Sequence, residues 1–172
     1  MMRRFSEELA LVNEFRRTVP VNVELLAKSL GIEVVSMNLD NDTSGMIERT
    51  PMGRYRIIVN DNHPSTRQRF TIAHELGHYF NHRHLIGDGI LDDRAYRSAS
   101  AGRYANTAIG RRQETEANQF AANLLMPWDA IQKLQAETGI NDPAEMARRI
   151  GVSEQAYCIR MGLHYEKPKL FG

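Results

Sequence analysis

The segment HELGHYFNHRH, from His74 to His84, holds the residue types and spacings in this chain that could do chemistry. On a helix, His74 and His78 stand one turn apart on one face, so both imidazoles can reach a single metal ion, with Glu75 beside them. Two imidazole ligands and an adjacent carboxylate form the HExxH arrangement of a hydrolytic zinc site, in which the carboxylate takes a proton from a metal-activated water. The alternative is a pair of core histidines satisfied by hydrogen bonds. His82, one turn further on, lies too far along a straight helix to bind the same ion and is read as a supporting or surface residue.

The element that must carry these groups is the amphipathic stretch TRQRFTIAHELGHYF. Phe70, Ala73 and Gly77 fall near the His74/His78 face, and Ile72, Leu76 and Tyr79 on the adjoining side. Glycine costs about 1 kcal/mol in a helix interior relative to alanine, so Gly77 predicts the close approach of another element. A zinc hydrolase also needs a third protein ligand, and His84, Glu114 and Glu116 are the candidates. His84 has the ten-residue offset of HExxHxxGxxH, with Asn81 where that pattern has its glycine. Glu114 shares a helical face with Ala117, Asn118 and Ala121, while Glu116 shares one with Phe120 and Leu124. Periodicity does not decide between the two carboxylates. The small residues at 117 and 121 allow helices to approach closely, which favours Glu114.

Around these motifs the chain predicts helices over 6–17 and 23–30, strands over 32–37, 45–49 and 54–60, and a turn at 61–64 with Ser65 or Thr66 capping the metal helix. His63, in that turn, is read as a surface or capping residue. The stretch 85–112, rich in glycine and arginine, predicts a long loop, either a solvated surface segment or a lid. Helices follow from Gln113 to before Pro127, from Pro127 to near Gly139, from Asp142 as N-cap to Ile150, and from Ser153 as N-cap to Met161.

With 172 residues and 42% hydrophobic content the chain suits one compact domain, with or without a small appendage. Twenty-two basic and 21 acidic residues give a net charge of +1, so no global field points to nucleic acid, an anionic membrane or acidic substrates. One cysteine, Cys158, rules out an internal disulfide and a cysteine zinc cluster, and is read as a small buried apolar residue. The mixed charges of MMRRFSEELALVNEFRR interrupt any signal-like apolar run, no stretch has membrane-spanning length, and the cytoplasm is the expected location.

RQRFTIAHELGHYFNH together with ETEANQFAANLLMP, preceded by PVNVELLAKSLGIEVV and an IIVN strand, resembles the ImmA/IrrE family of zinc metallopeptidases over most of the chain. The resemblance implies Zn2+ held by His74, His78 and Glu114, Glu75 as catalytic acid/base, and Asn118 supporting a ligand from behind. It implies an endopeptidase that cuts helix-turn-helix repressors, as an antirepressor or stress-response regulator. The interval between the two motifs is longer than the family leads one to expect.

The expected fold is a small α+β zincin-like domain over 1–140, with a short three-stranded sheet, followed by a helical hairpin and tail over 141–172 packed on the same domain. The strand at 55–60 is a candidate edge for an extended substrate, and Tyr96, Tyr104 or a histidine could stabilise an oxyanion. The hairpin AEMARRIGVSEQAYCIRMGL has a helix-turn-helix outline, with Arg148, Arg149 and Arg160 available for phosphates. Two alternatives to cleavage therefore stand: a DNA-binding regulator, and a zinc-retaining or toxin-like protein that binds its partner without cutting it.

Overall fold

The computed structural model describes residues 2–86, 90–91 and 109–166. The elements run α1 (Met2–Phe15), α2 (Val23–Ser29), β1 (Glu33–Met37), β2 (Gly45–Arg49), β3 (Tyr55–Asn60), α3 (Ser65–Asn81), a short 3-10 turn (Arg83–Leu85) and β4 (Ile90–Leu91). They continue with α4 (Arg111–Leu125), α5 (Trp128–Thr138), α6 (Pro143–Ile150) and α7 (Glu154–Met161). This is the expected α+β architecture, a short mixed sheet followed by a mainly helical half.

The sheet order is β1-β3-β2-β4. β3 is interior, parallel to β1 with Val35 opposite Ile58, and antiparallel to β2 with Ile47 opposite Ile57. The expectation that β3 is a free edge for substrate is therefore corrected, because its hydrogen-bonding groups are spent on both neighbours. A fourth strand, β4, adds two residues beside Met46 and Ile47. It belongs to the stretch read as loop; residues 92–108, and with them Tyr96, Tyr104 and the lid reading, lie outside the described residues.

Buried Asn60 organises the connection between β1 and β2. Its side-chain amide donates to the carbonyls of Leu39, Asp40 and Thr43 at 3.2, 3.0 and 2.8 Å. Ser44, at the end of that connection, accepts from Arg67 of α3 at 2.7 Å, so the loop fixes the start of α3 against the sheet. Ser65 is the first residue of α3, so it cannot cap from outside; Pro64 precedes the helix in extended conformation and no side chain caps it. Gln68 instead donates to the His63 carbonyl at 2.7 Å, and His63 itself pairs with the Asn41 carbonyl at 3.1 Å.

One buried cluster runs from Val21, Leu26 and Ile32 through Ile47, Ile57 and Val59 of the sheet to Ile72, Leu76 and Tyr79 of α3. Leu124 and Leu125 of α4, Ile131 of α5, Met146 and Ile150 of α6, and Tyr157 of α7 join it. Asp142 and Ser153 cap α6 and α7, accepting from the amides of Glu145 and Ala156 at 2.8 and 3.2 Å. Gly151 turns between these helices at φ 76°, a backbone conformation that side chains disfavour. There the guanidinium of Arg69 donates to the Gly151 carbonyl at 3.0 Å and to the Val21 carbonyl at 2.8 Å, tying α3 to both ends of the fold. Among the described residues no helix is long and apolar enough to cross a membrane.

Candidate metal centre

α3 is buried along its second half, from Thr71 to Phe80, because its apolar residues occupy more than one stripe and are covered by the sheet, α2 and α4. His74, Glu75 and His78 lie in this stretch and are 1%, 0% and 0% exposed. Three imidazole or carboxylate groups so placed need partners or a metal.

α4 supplies the partner surface. A Cβ on Gly77 would meet the Ala117 Cα at 2.9 Å, the Ala117 oxygen at 3.0 Å and the Phe120 Cβ at 3.2 Å. The two helix backbones are thus as close as a glycine facing an alanine permits, as the position of Gly77 predicted. Phe80 stacks on Phe120 with ring centroids 5.3 Å apart, and Ala117 and Ala121 are fully buried. The contacts join the second half of α3 to the first half and middle of α4.

That approach brings Glu114 to the two histidines. Its oxygens lie 3.3 Å from His74 Nε2 and 3.3 Å from His78 Nε2, and the two Nε2 atoms lie 3.0 Å apart. Among the described residues His74, His78 and Glu114 form a group whose ligand atoms all lie within 4.8 Å of one another. Donors bound at about 2.0–2.1 Å to one tetrahedral ion are about 3.3 Å apart, so the spacing suits a zinc-sized ion.

The outward ring nitrogens explain why these donors turn inward. His74 Nδ1 faces Asn118 Oδ1 at 2.9 Å. An amide oxygen only accepts, so Nδ1 carries the hydrogen and a neutral His74 presents its Nε2 lone pair to the group. His78 Nδ1 faces His82 Nδ1 at 3.2 Å. Burial lowers the pKa of His78, which favours its neutral form. Burial alone would raise the Glu114 carboxyl, but the two imidazoles beside it prevail and hold it at about 2, in the ionised form. Two neutral imidazoles and a carboxylate, with lone pairs converging at 3.0–3.3 Å, repel one another until a cation sits among them.

His84 is exposed on the short turn after α3 and takes no part in the group. Glu116 points the other way from Glu114, accepting from His82 Nε2 at 2.9 Å and from Arg112 at 2.8 Å. Sequence reasoning placed His82 and Glu116 near the site without linking them. The repeat of histidines at 74, 78 and 82 and the Arg112–Glu116 interval of four residues were the available signals.

The helix-turn-helix outline at the C-terminus is present, but its cations are engaged. Glu145 accepts from Arg148 at 2.7 Å and Arg149 at 2.9 Å, and Arg160 donates to the Met126 carbonyl at 3.3 Å.

A family profile described as IrrE N-terminal-like domain (Peptidase_M78) matches residues 27–161. The chain is similar to an uncharacterized immunity region protein 2 of Bacillus phage phi105, with 27% identity over 152 residues, 84% of this chain and 86% of the relative. It is also similar to the radiation response metalloprotease IrrE of Deinococcus deserti, with 36% identity over 99 residues, 56% of this chain and 32% of that protein. A solved transcriptional regulator of Mycobacterium tuberculosis shares the fold at a TM-score of 0.57 and 22% identity, over 94% of this chain and 48% of that one. The chain thus spans most of the phage relative, about a third of the Deinococcus protein and about half of the mycobacterial one.

Proposed function

The chain belongs to the IrrE N-terminal-like domain family, and on that premise we propose that it is a zinc-dependent endopeptidase acting on a protein substrate, a helix-turn-helix transcriptional repressor. The observation that carries this reading is the convergence of His74 Nε2, His78 Nε2 and the Glu114 carboxylate on one point, with Glu75 the neighbour of His74 in the chain. His74, His78 and Glu114 would hold the zinc, and three protein donors are the number expected of a catalytic site as opposed to a structural one. When bound there, zinc lowers the pKa of its water towards about 7 and polarises the scissile carbonyl.

The chain's own groups do the rest. Glu75 takes a proton from the attacking water as the new carbon–oxygen bond forms, and delivers it to the amine nitrogen as the carbon–nitrogen bond breaks. Asn118 holds the His74 ring by its Nδ1 hydrogen, so the Nε2 atom keeps its direction. Residues 141–172 are read as part of this catalytic domain, since Met146, Ile150 and Tyr157 share its buried cluster. The engagement of Arg148 and Arg149 by Glu145 weighs against a direct contact with DNA phosphates. The cytoplasm, where the repressor acts and where buried Cys158 stays reduced, is the proposed setting.

Co-expression with a candidate helix-turn-helix repressor, one from a neighbouring gene being the first choice, tests the reading. The wild-type chain should yield a discrete repressor fragment, and Glu75→Gln should retain metal and yield none. An intact repressor in the presence of metal-loaded wild type, or equal cleavage by Glu75→Gln, would overturn it.

A further inference from the structure

Behind the donor group lies a chain of side chains that the peptidase reading does not use. His78 Nδ1 meets His82 Nδ1 at 3.2 Å, His82 Nε2 meets Glu116 Oε2 at 2.9 Å, and Glu116 Oε1 accepts from Arg112 Nε at 2.8 Å. His82 is buried, whereas Arg112 is 86% exposed, so the chain leads from the interior to the surface at the start of α4.

The hydrogens along it are determined by what each end accepts. Glu116 is ion-paired with the Arg112 guanidinium at 2.8 Å, and its carboxylate only accepts. His82 Nε2 therefore carries the hydrogen that it donates to Glu116. A neutral His82 then has a bare Nδ1, which must accept, and the hydrogen between the two rings belongs to His78 Nδ1. With its hydrogen on Nδ1, His78 has its lone pair on Nε2, the atom that faces His74 and Glu114. The opposite arrangement, with the hydrogen on His78 Nε2, would leave two bare Nδ1 atoms opposed at 3.2 Å.

We propose that His82, locked by Glu116 and Arg112, is a positioning residue that fixes the tautomer and ring direction of His78 and thereby sets how tightly the site holds its metal. This rests on the reading of His74, His78 and Glu114 as metal ligands. His74 is fixed by an amide, Asn118, and His78 by a second histidine that is itself fixed by a carboxylate. The two ligands are thus supported differently. The His78 side is the stronger donor, since negative charge at Glu116 is relayed through polarised hydrogen bonds to the ring.

Isosteric substitutions separate this role from simple packing. Asparagine places its amide oxygen where a histidine has Nδ1, so His82→Asn keeps an acceptor for His78 while losing Glu116. Glutamine places its amide where a histidine has Nε2, so His82→Gln keeps the contact with Glu116 and loses the acceptor. Zinc affinity is measured by chelator competition on the full chain, together with the visible spectrum of the cobalt-substituted protein and the unfolding midpoint of the metal-free form.

His82→Gln and His82→Phe should weaken zinc binding roughly 10–100-fold and shift the cobalt bands, while His82→Asn stays within about threefold of wild type. Glu116→Ala, a change at the partly exposed end, should weaken binding less than His82→Gln and keep the metal-free midpoint. Equal losses for Asn and Gln, or wild-type affinity and spectrum in His82→Gln and Glu116→Ala, would overturn the proposal. Failure of the wild-type chain to bind zinc would instead remove the metal-site reading on which the proposal stands.

Discussion

In the α3–α4 pair the ionisable side chains turn inward to a common point, whereas in the α6–α7 pair they turn outward and neutralise one another. His74, His78 and Glu114 are held within 4.8 Å by two helix backbones in contact at Gly77 and Ala117. Arg148 and Arg149 lie on the rim of α6 and are satisfied by Glu145 of the same helix. Both pairs carry a sequence motif that suggests a function. The difference lies in desolvation: groups buried without full neutralisation demand a ligand, and groups paired in water demand nothing.

The largest expected effect tests the inward side of this contrast. Glu114→Ala should reduce zinc affinity by far more than the roughly 10–100-fold typical of losing a supporting residue, and Glu116→Ala should still bind one equivalent at saturation. Metal content after dialysis against a weak chelator reads both, and metal retention by Glu114→Ala would break the comparison.

Next comes the contact that brings the helices together. Gly77→Val puts side-chain atoms against the Ala117 backbone, which has no rotamer to yield, and should destabilise the fold by about 3 kcal/mol in urea titration. Gly162→Ala, at the end of α7, meets nothing within 4 Å and should cost only about 1 kcal/mol, from its φ of 67°.

Arg69 joins the two regions, and Arg69→Met should leave the Gly151 and Val21 carbonyls short of a donor. A loss of about 1–3 kcal/mol is expected, with unchanged zinc affinity. A change in affinity would mean that the regions are coupled through α3.

The smallest effects belong to the outward side. The Glu145 carboxyl is held at about 2 by its bonds with Arg148 and Arg149. Whatever stability it adds is present above its ordinary value near 4.5 and is lost as pH falls from there towards 2. Because the group is exposed, Glu145→Gln should unfold in acid at nearly the same pH as wild type. Arg148→Gln with Arg149→Gln should not alter a mobility-shift assay with duplex DNA at low salt, since wild type should show no shift either.

Much of this contrast was legible before any fold was known. Asp142, Ser153, Gly139 and Gly151 mark helix ends through local backbone chemistry, and α6 and α7 run as those signals predict. The inward histidines were legible from their spacing. Glu114 and Glu116 were harder, because two residue steps, about 200° around the helix, decide which carboxylate faces α3, and only the small residues Ala117 and Ala121 hinted at it. The strand order was not read, since nothing local states which strand is central. The consecutive burial of Ile57, Ile58 and Val59 is what an interior strand needs, and the IIV run was a signal of it. The chain from His78 to Arg112 joins residues more than thirty positions apart in sequence, and only the crossing of α3 and α4 creates it.

The Gly77–Ala117 contact also bears on how the site tolerates change elsewhere. Donor spacing is gauged by two backbones resting on each other, and not by the tether that links the helices. The distance from Glu114 to His78 therefore follows from the helix contact itself, whatever the number of residues between the two motifs.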